Sequence, residues 1–123
     1  YFYREWTESA AELLIKMDWE FFRLLDALPV RRGFLPTILD YYESKDAASL
    51  AAKLRSIPAF QNITSPMVQG PSGWVPDYTS RYFTEDFPYG LKFICALARK
   101  KGVPVPTLDR VLEWGMSRIQ TLS

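Results

Sequence analysis

Residues 1–28 carry apolar side chains at the spacing of one face of an α-helix. They recur every three or four residues, at Leu14, Met17, Phe21, Leu24, Leu25 and Leu28. Charged residues alternate with them, Glu20 among them, and are expected on the opposite face. Thr7 and Ser9 are both candidate N-caps, and Ser9 with Glu12 has the spacing of a capping box. Pro29 is expected to end this helix, and a short basic connection with Arg31 and Arg32 follows.

Two shorter helices are predicted next. Residues 35–43, which read LPTILDYYE, suggest a short helix with Pro36 near its start. Ser44 or Asp46 can cap a third helix that runs to about Arg55. Its face is rich in alanine, which has the best helix propensity and adds little bulk. The pattern therefore predicts closely packed helices in this part of the chain.

The regular pattern stops between Ile57 and Tyr78. This stretch shows no sustained period and contains four prolines and two glycines: Pro58, Pro66, Pro71, Pro76, Gly70 and Gly73. A connection this long without secondary structure is uncommon inside a compact domain and is often functional or mobile. It leads directly into Arg81, so we expect it to wrap over that region. Trp74 can serve there as a lid or stacking residue, or simply pack against the domain.

The stretch from Arg81 to Ala98, RYFTEDFPYGLKFICALA, is the most informative part of the chain. Thr84, Glu85 and Asp86 supply cap-type oxygens and negative charge where a helix would begin. Pro88 fits a first helical turn. The pattern predicts a helix from Thr84 or Asp86 to Lys100, with an apolar face that repeats at helical spacing: Leu91, Ile94, Cys95 and Ala98.

Two interpretations of the charges in this stretch stay open on spacing alone. Arg81 and a nearby carboxylate at one helix end can form an ionic site for a small molecule that carries a carboxylate. The plainer interpretation is that Asp86 or Thr84 caps the helix and that Arg81 is a solvated charge. The adjacent carboxylates Glu85 and Asp86 point about 100° apart on a helix, which disfavours a facing acid–base pair.

The C-terminal part predicts one more helix. Three basic residues precede Gly102, which can take the left-handed cap of the preceding helix. Residues 103–106, VPVP, read as an extended linker, and Thr107 is expected to cap the last helix. The inner face of that helix repeats apolar residues: Leu108, Val111, Leu112, Met116 and Ile119. With no strand pattern elsewhere, residues 1–123 are predicted to be one all-α domain, a compact bundle of about five helices with a long Pro-rich loop.

Composition narrows the classes of function. The net charge is +1 and gives no basic surface for nucleic acid, and no apolar run approaches the ~20 residues that span a bilayer. Cys95 is the only cysteine and cannot build a metal site by itself, and histidine is absent, so no nucleophile–base pair can be assembled. The chain begins at Tyr1 with neither a signal nor a transit pattern. We therefore expect a piece of a longer protein.

A family resemblance fits this gap. The segments RYFTEDFPYGL and GVPVPTLDRVLEWG resemble the C-terminal domain of the octopine/nopaline (opine) dehydrogenase family, whose pattern is R-Y-x-x-E-D-x-P-x-G-L followed by a helix and G-V-x-x-P. FYREWTES and IPAFQNITSP also look like the family's equivalents, so the similarity covers nearly the whole chain. It implies a helical C-terminal domain of the 6-phosphogluconate dehydrogenase-like type.

The resemblance also implies an activity. Such enzymes carry an N-terminal Rossmann domain that binds NAD or NADP, and they reductively condense an amino acid with a 2-oxo acid. The family's general acid/base is a histidine, which would lie upstream of this chain, so the isolated chain is expected to be inactive. The resemblance implies that Asp86 orients this histidine and that Arg81 contacts a substrate carboxylate. Further candidates for lining the site are Glu85, Tyr89, Gly90 and Trp74.

The expected setting is a cytoplasmic enzyme with small-molecule substrates and its own Rossmann domain as partner, and a homodimer is one candidate assembly. A different class remains open, namely a non-catalytic helical interaction or dimerisation module in which the E-D pair only caps a helix. A third candidate is the helical domain of another NAD(P)-dependent dehydrogenase that acts on 2-hydroxy acids.

Overall fold

A computed structural model describes residues 2–29 and 35–120, and its chain divides into two compact units, Tyr1–Thr64 and Ser65–Ser123. The predicted basic connection at Arg31 and Arg32 lies outside the described residues. The secondary structure is mostly helical, as the sequence predicts. The prediction that residues 1–123 form one domain stays a prediction.

The first unit begins with a long helix, α1, over Glu8–Asp26. Thr7 is its N-cap, because the Thr7 hydroxyl accepts a hydrogen bond from the backbone N–H of Ala10 at 3.1 Å. Ser9 lies inside the helix, so the predicted alternative cap and capping box at Ser9 are wrong. The helix ends three residues before Pro29, consistent with the restriction that a proline imposes on the residues before it.

The burial along α1 confirms its apolar face with one exception. Leu24 is buried, and the other members of the predicted stripe are partly buried. Glu20 was expected on the solvent side, but only 4% of it is exposed. Glu20 lies four residues before Leu24, and residues four apart share one side of a helix. Its charge therefore did not decide its position.

The helix α2 covers only Ile38–Tyr41 and is capped by Thr37. It is shorter than the predicted span because Pro36 stands before the cap and not inside the helix. The backbone N–H of Ile38 donates a hydrogen bond to the Asp18 carboxylate at 3.0 Å. This bond satisfies a donor at the start of α2 and ties α2 to α1.

The helix α3, Ala47–Ser56, packs against α1 and forms the core of the first unit. Ala11, Leu50, Ala51 and Leu54 make a cluster in which no side chain is more than 1% exposed. Alanines at this contact let the two helices approach closely. A short 3₁₀ turn at Pro58–Phe60 follows α3, and the ring of Phe60 stacks on Tyr3 at a centroid distance of 4.2 Å.

The cap of α3 confirms the prediction for Asp46. The backbone N–H of Ser49 donates to the Asp46 carboxylate at 2.8 Å, and the Asp46 N–H donates back to the Ser49 hydroxyl at 3.1 Å. Together they form a reciprocal capping box. Two donors of the first helical turn are satisfied by two short side chains.

The second unit opens with a β-hairpin that the sequence pattern did not predict. Strands β1, Met67–Gly70, and β2, Gly73–Pro76, pair antiparallel, with Val68 opposite Val75. Gly73 has φ of 127°, a conformation that side chains disfavour. Each strand is only four residues long, too short for an alternating pattern to be recognised.

The helices of the second unit are α4, Arg81–Thr84, a π-helix at Asp86–Leu91, α5, Lys92–Lys101, and α6, Pro106–Gln120. The predicted cap at Thr84 is wrong, because helix begins at Arg81 and the Thr84 hydroxyl donates back to the carbonyl of Ser80 at 3.2 Å. Asp86 likewise begins the π-helix without capping it. Thr107 is not a cap either, because α6 begins one residue earlier at Pro106.

The helix α5 ends as predicted. Gly102 follows its last residue with φ of 70°, and its N–H donates to the carbonyls of Ala98 and Arg99. Cys95 and Ala98 on the predicted apolar face are buried. Within the part of the chain that the structure describes, no helix has the length and apolar character that a membrane crossing requires.

The Asp46 cap predicts a specific dependence of stability on pH. Two hydrogen bonds from Ser49 lower the pKa of Asp46 below its ordinary value of 3.8. The bond from the backbone N–H has the larger effect, and the bond from the hydroxyl the smaller. The capping contribution is therefore present above that value and lost as the pH falls through the lowered pKa of the folded state. Asp46→Asn keeps a cap that does not titrate.

We therefore expect wild type to lose melting temperature relative to Asp46→Asn as the pH is lowered from 5 to about 2.5. Thermal unfolding of both proteins across this range measures the difference. A difference that stays constant with pH would show that the Asp46 cap contributes nothing that titrates.

The left-handed residue after α5 predicts a second effect. Gly102→Ala should lower the free energy of unfolding by about 1 kcal/mol, because a Cβ disfavours positive φ. Space is not the cause, since a Cβ at Gly102 would meet no atom within 4 Å. Gly102→Asn is the matched control and should cost less, since asparagine tolerates this conformation. Equal losses in denaturant titrations of both variants would contradict the explanation.

Candidate functional site

A proline inside a helix shapes the candidate site. Pro88 is the third residue of the π-helix Asp86–Leu91, and α4 precedes this π-helix in the chain. Because proline lacks an N–H and its ring crowds the preceding turn, it cannot continue α-helical hydrogen bonding. The turn is widened instead, and the N–H of Lys92 donates to the carbonyl of Phe87, five residues back. Single π turns inside helices occur frequently at functional sites.

Four aromatic side chains form a cluster at the widened turn. The rings of Phe83 and Phe87 are stacked with an interplanar angle of 2° and a centroid distance of 5.5 Å. Trp114 of α6 lies 6.0 Å from Phe83 and 6.3 Å from Phe87, and Tyr78 lies 4.8 Å from Phe83. Rings at these separations attract one another beyond their area of burial.

Gly115 of α6 makes the closest approach to this cluster. Gly115 is buried, and a Cβ placed on it would overlap the ring of Phe87. Because Gly115 has no side chain, the ring of Phe87 can approach α6 closely. The π-helix is fixed to α6 by this contact.

An open pocket of about 370 Å³ lies on the side of the π-helix where the charged residues stand. Its lining includes three residues that the sequence predicted for the site, Arg81, Glu85 and Asp86. Pro66, Ser80 and Tyr82 complete it. The structure therefore brings the predicted arginine and both carboxylates to one surface.

Within this pocket, Arg81 pairs with Glu85. The Arg81 Nε lies 3.2 Å from the Glu85 Oε2, one helical turn away, and the two side chains are 85% and 52% exposed. Ion pairs with this exposure contribute between 0 and about 1 kcal/mol. Because the pair is weak, Glu85 does not hold the guanidinium firmly. Asp86 is exposed in the same pocket.

Three of the predicted site residues do not line this pocket. Tyr89 and Gly90 lie on the π-helix and are exposed, and neither is among the residues around the cavity. Trp74 lies in β2 and is 69% exposed. Only the base of this hairpin reaches the pocket, through Pro66.

Sequence reasoning missed Ser80 and Tyr82, which flank Arg81 in the chain. The Ser80 Oγ is buried and finds no hydrogen-bond partner among the described residues. Its only sequence signal is its place before the first residue of a helix, which is typical of serine. Tyr82 carries no signal beyond its place in the sequence.

The charged groups of the pocket are one guanidinium and two carboxylates. In residues 2–29 and 35–120, no three histidine, cysteine, aspartate or glutamate residues group together to hold a metal ion. Nor does the pocket have the glycine-rich turn after a strand that cradles a pyrophosphate. Its arginine and carboxylates can bind and orient groups of opposite charge on a small molecule.

Comparison with known proteins extends these observations. Residues 1–119 match the family model described as "NAD/NADP octopine/nopaline dehydrogenase, alpha-helical domain". The tauropine dehydrogenase of Arabella iricolor is 37% identical over 70 residues, and the opine dehydrogenase of Haliotis discus hannai is 41% identical over 71 residues. These matches cover 56% and 57% of this chain and 18% of each relative. The chain thus spans only a small part of the length of these enzymes.

A solved structure supports the same fold. Octopine dehydrogenase with NADH and pyruvate aligns over 96% of this chain and 30% of its own, with a TM-score of 0.77 and 23% identity. The mostly helical fold is therefore that of a helical portion of this enzyme. Since the family model covers all but the last four residues, the chain belongs to the octopine/nopaline dehydrogenase family and corresponds to its alpha-helical domain.

Proposed function

We propose that this chain is the substrate-binding helical domain of an NAD(P)H-dependent opine dehydrogenase, which joins an amino acid to a 2-oxo acid. The observation that carries the proposal is the presence of Arg81 and Asp86 in one open pocket, inside the family's R-Y-x-x-E-D motif. The relatives named above are dehydrogenases. The structural neighbours hold NADH with pyruvate or L-arginine.

Arg81 would bind the carboxylate of the 2-oxo acid. A guanidinium can form two parallel hydrogen bonds to a carboxylate, which fixes its orientation as well as its position. The weak pair with Glu85 holds the guanidinium at the pocket without blocking exchange. Glu85 is then free to interact with a cationic group of the amino acid.

Asp86 would orient a histidine contributed by the part of the enzyme outside this chain. A carboxylate next to an imidazole fixes its tautomer and stabilises its cationic form. The amine of the amino acid and the carbonyl of the 2-oxo acid form an imine with loss of water. The histidine would hold or deliver the proton in this step.

The nicotinamide, when bound, supplies a hydride to the imine carbon, and addition of a proton gives the secondary amine. The pocket offers no cradle for the dinucleotide, so an N-terminal Rossmann domain would bind it. Cytoplasmic location and a homodimer stay predictions.

The role of Asp86 predicts a loss of turnover without a loss of folding. Asp86→Asn in the full-length protein should lower kcat for opine formation about 100-fold or more, because loss of the aspartate that orients a general-base histidine can lower kcat by about 10⁴. The melting temperature should stay close to wild type, because Asp86 is exposed. NADH or NADPH oxidation with pyruvate and a panel of amino acids measures the rate.

Asp109→Asn is the matched control, because it makes the same change on an exposed aspartate outside the pocket. It should keep full turnover. Wild-type turnover in Asp86→Asn would contradict the proposal. That result would favour a non-catalytic helical module, whereas reduction of the 2-oxo acid by the full-length protein without an amine would favour a dehydrogenase of 2-hydroxy acids.

The role of Arg81 predicts a change in substrate affinity. Arg81→Lys keeps the charge but removes the fork that binds a carboxylate through two hydrogen bonds. Loss of one charge-assisted hydrogen bond should raise the KM for the 2-oxo acid about tenfold or more. The KM for NAD(P)H should change little. Arg99→Lys changes an exposed arginine in the last turn of α5 and is the control. If Arg81→Lys changed the KM for the 2-oxo acid and the KM for NAD(P)H equally, the assignment would be contradicted.

A further inference from the structure

The contact between Phe87 and Gly115 has no counterpart elsewhere among the glycines of the described residues. A Cβ at Gly73, Gly90 or Gly102 would meet no atom within 4 Å, and at Gly70 it would make only close contacts. At Gly115 alone it would overlap a neighbouring ring, that of Phe87. Glycine in a helix interior lowers helix stability by roughly 0.5–1 kcal/mol relative to alanine. A close approach explains its presence here.

Phe87 is the residue directly after Asp86. It lies in the π-helix that contains Pro88, where the five-residue hydrogen bond from the N–H of Lys92 to the carbonyl of Phe87 widens the turn. The direction of each side chain in such a turn depends on the packing of its neighbours. Phe87 is packed on both sides, against Phe83 and against Gly115.

We propose that Phe87 and Gly115 are positioning residues, which fix the widened turn so that the Asp86 carboxylate faces the pocket with Arg81. This inference rests on the proposed function of Asp86 and deepens it. Neither Phe87 nor Gly115 lines the pocket, so they act through Asp86 and not by touching substrate. A side chain at position 115 would displace the ring of Phe87, and the widened turn would move with it.

The test uses the full-length enzyme with Gly115→Ala and Phe87→Leu. Both variants should lower kcat about tenfold, the scale on which an orienting group acts, while the KM for NAD(P)H stays unchanged. The pH dependence of kcat for opine oxidation is the second readout. The carboxylate of Asp86 raises the pKa of the histidine it orients, so a displaced Asp86 should move the apparent pKa towards acid.

The shift should have the same direction as in Asp86→Asn and be smaller. Leu54→Val is the control for general loss of stability, because Leu54 is 1% exposed in the core of the first unit. It should lower the melting temperature and leave the pH profile unchanged. If Gly115→Ala does not fold, Phe87→Leu gives the same readout, since leucine removes the ring and adds no bulk.

A double-variant cycle tests whether the two positions act through one contact. Phe87→Leu makes room for the new methyl group, so Gly115→Ala with Phe87→Leu should have a higher kcat than the product of the two single effects predicts. Multiplicative effects, or single variants with the wild-type pH profile, would overturn the positioning role. If Asp86→Asn itself has wild-type kcat, the proposed function fails instead, so the two failures are distinguishable.

Discussion

Pro88 is the constraint on which the second unit depends. A proline in the middle of a helix removes one hydrogen bond and crowds the turn before it. The chain keeps its helical course by widening into a π turn, and this places Phe87 against α6. The glycine at position 115 makes that approach possible. The aromatic cluster and the contact between Phe87 and α6 both lie at this local interruption.

The charges beside this turn are arranged for exchange and not for stability. Arg81 and Glu85 form a pair that water screens, and two unit charges 4 Å apart in water attract by only about 1 kcal/mol. The same charges interact far more strongly where water is excluded. In the open pocket, the exposed pair therefore leaves both charges able to exchange partners.

Local sequence signals predicted most helices but not every boundary. Contacts within a few residues determine the features that were predicted correctly. These are the apolar stripes of α1, α5 and α6, the Asp46 cap and the left-handed Gly102. Errors arose where two similar signals competed. Each residue wrongly predicted as a cap has a side-chain oxygen that can cap a helix. The helix α1 begins at Glu8, one residue before Ser9, and α6 begins at Pro106, one residue before Thr107. The hairpin was missed because its strands are too short for a period to appear.

The sequence by itself determined the helical class, the family motif and the grouping of Arg81 with the carboxylates Glu85 and Asp86. These depend on residues that are close together in the chain. Only the tertiary structure decided which of them share a pocket, because Tyr89, Gly90 and Trp74 are near in sequence and still lie outside it. It also decided that Phe87 meets Gly115, since a contact between residues far apart along the chain leaves no periodic signal. The burial of Glu20 was likewise decided by the tertiary structure, because the helical spacing of charged residues had indicated the solvent side.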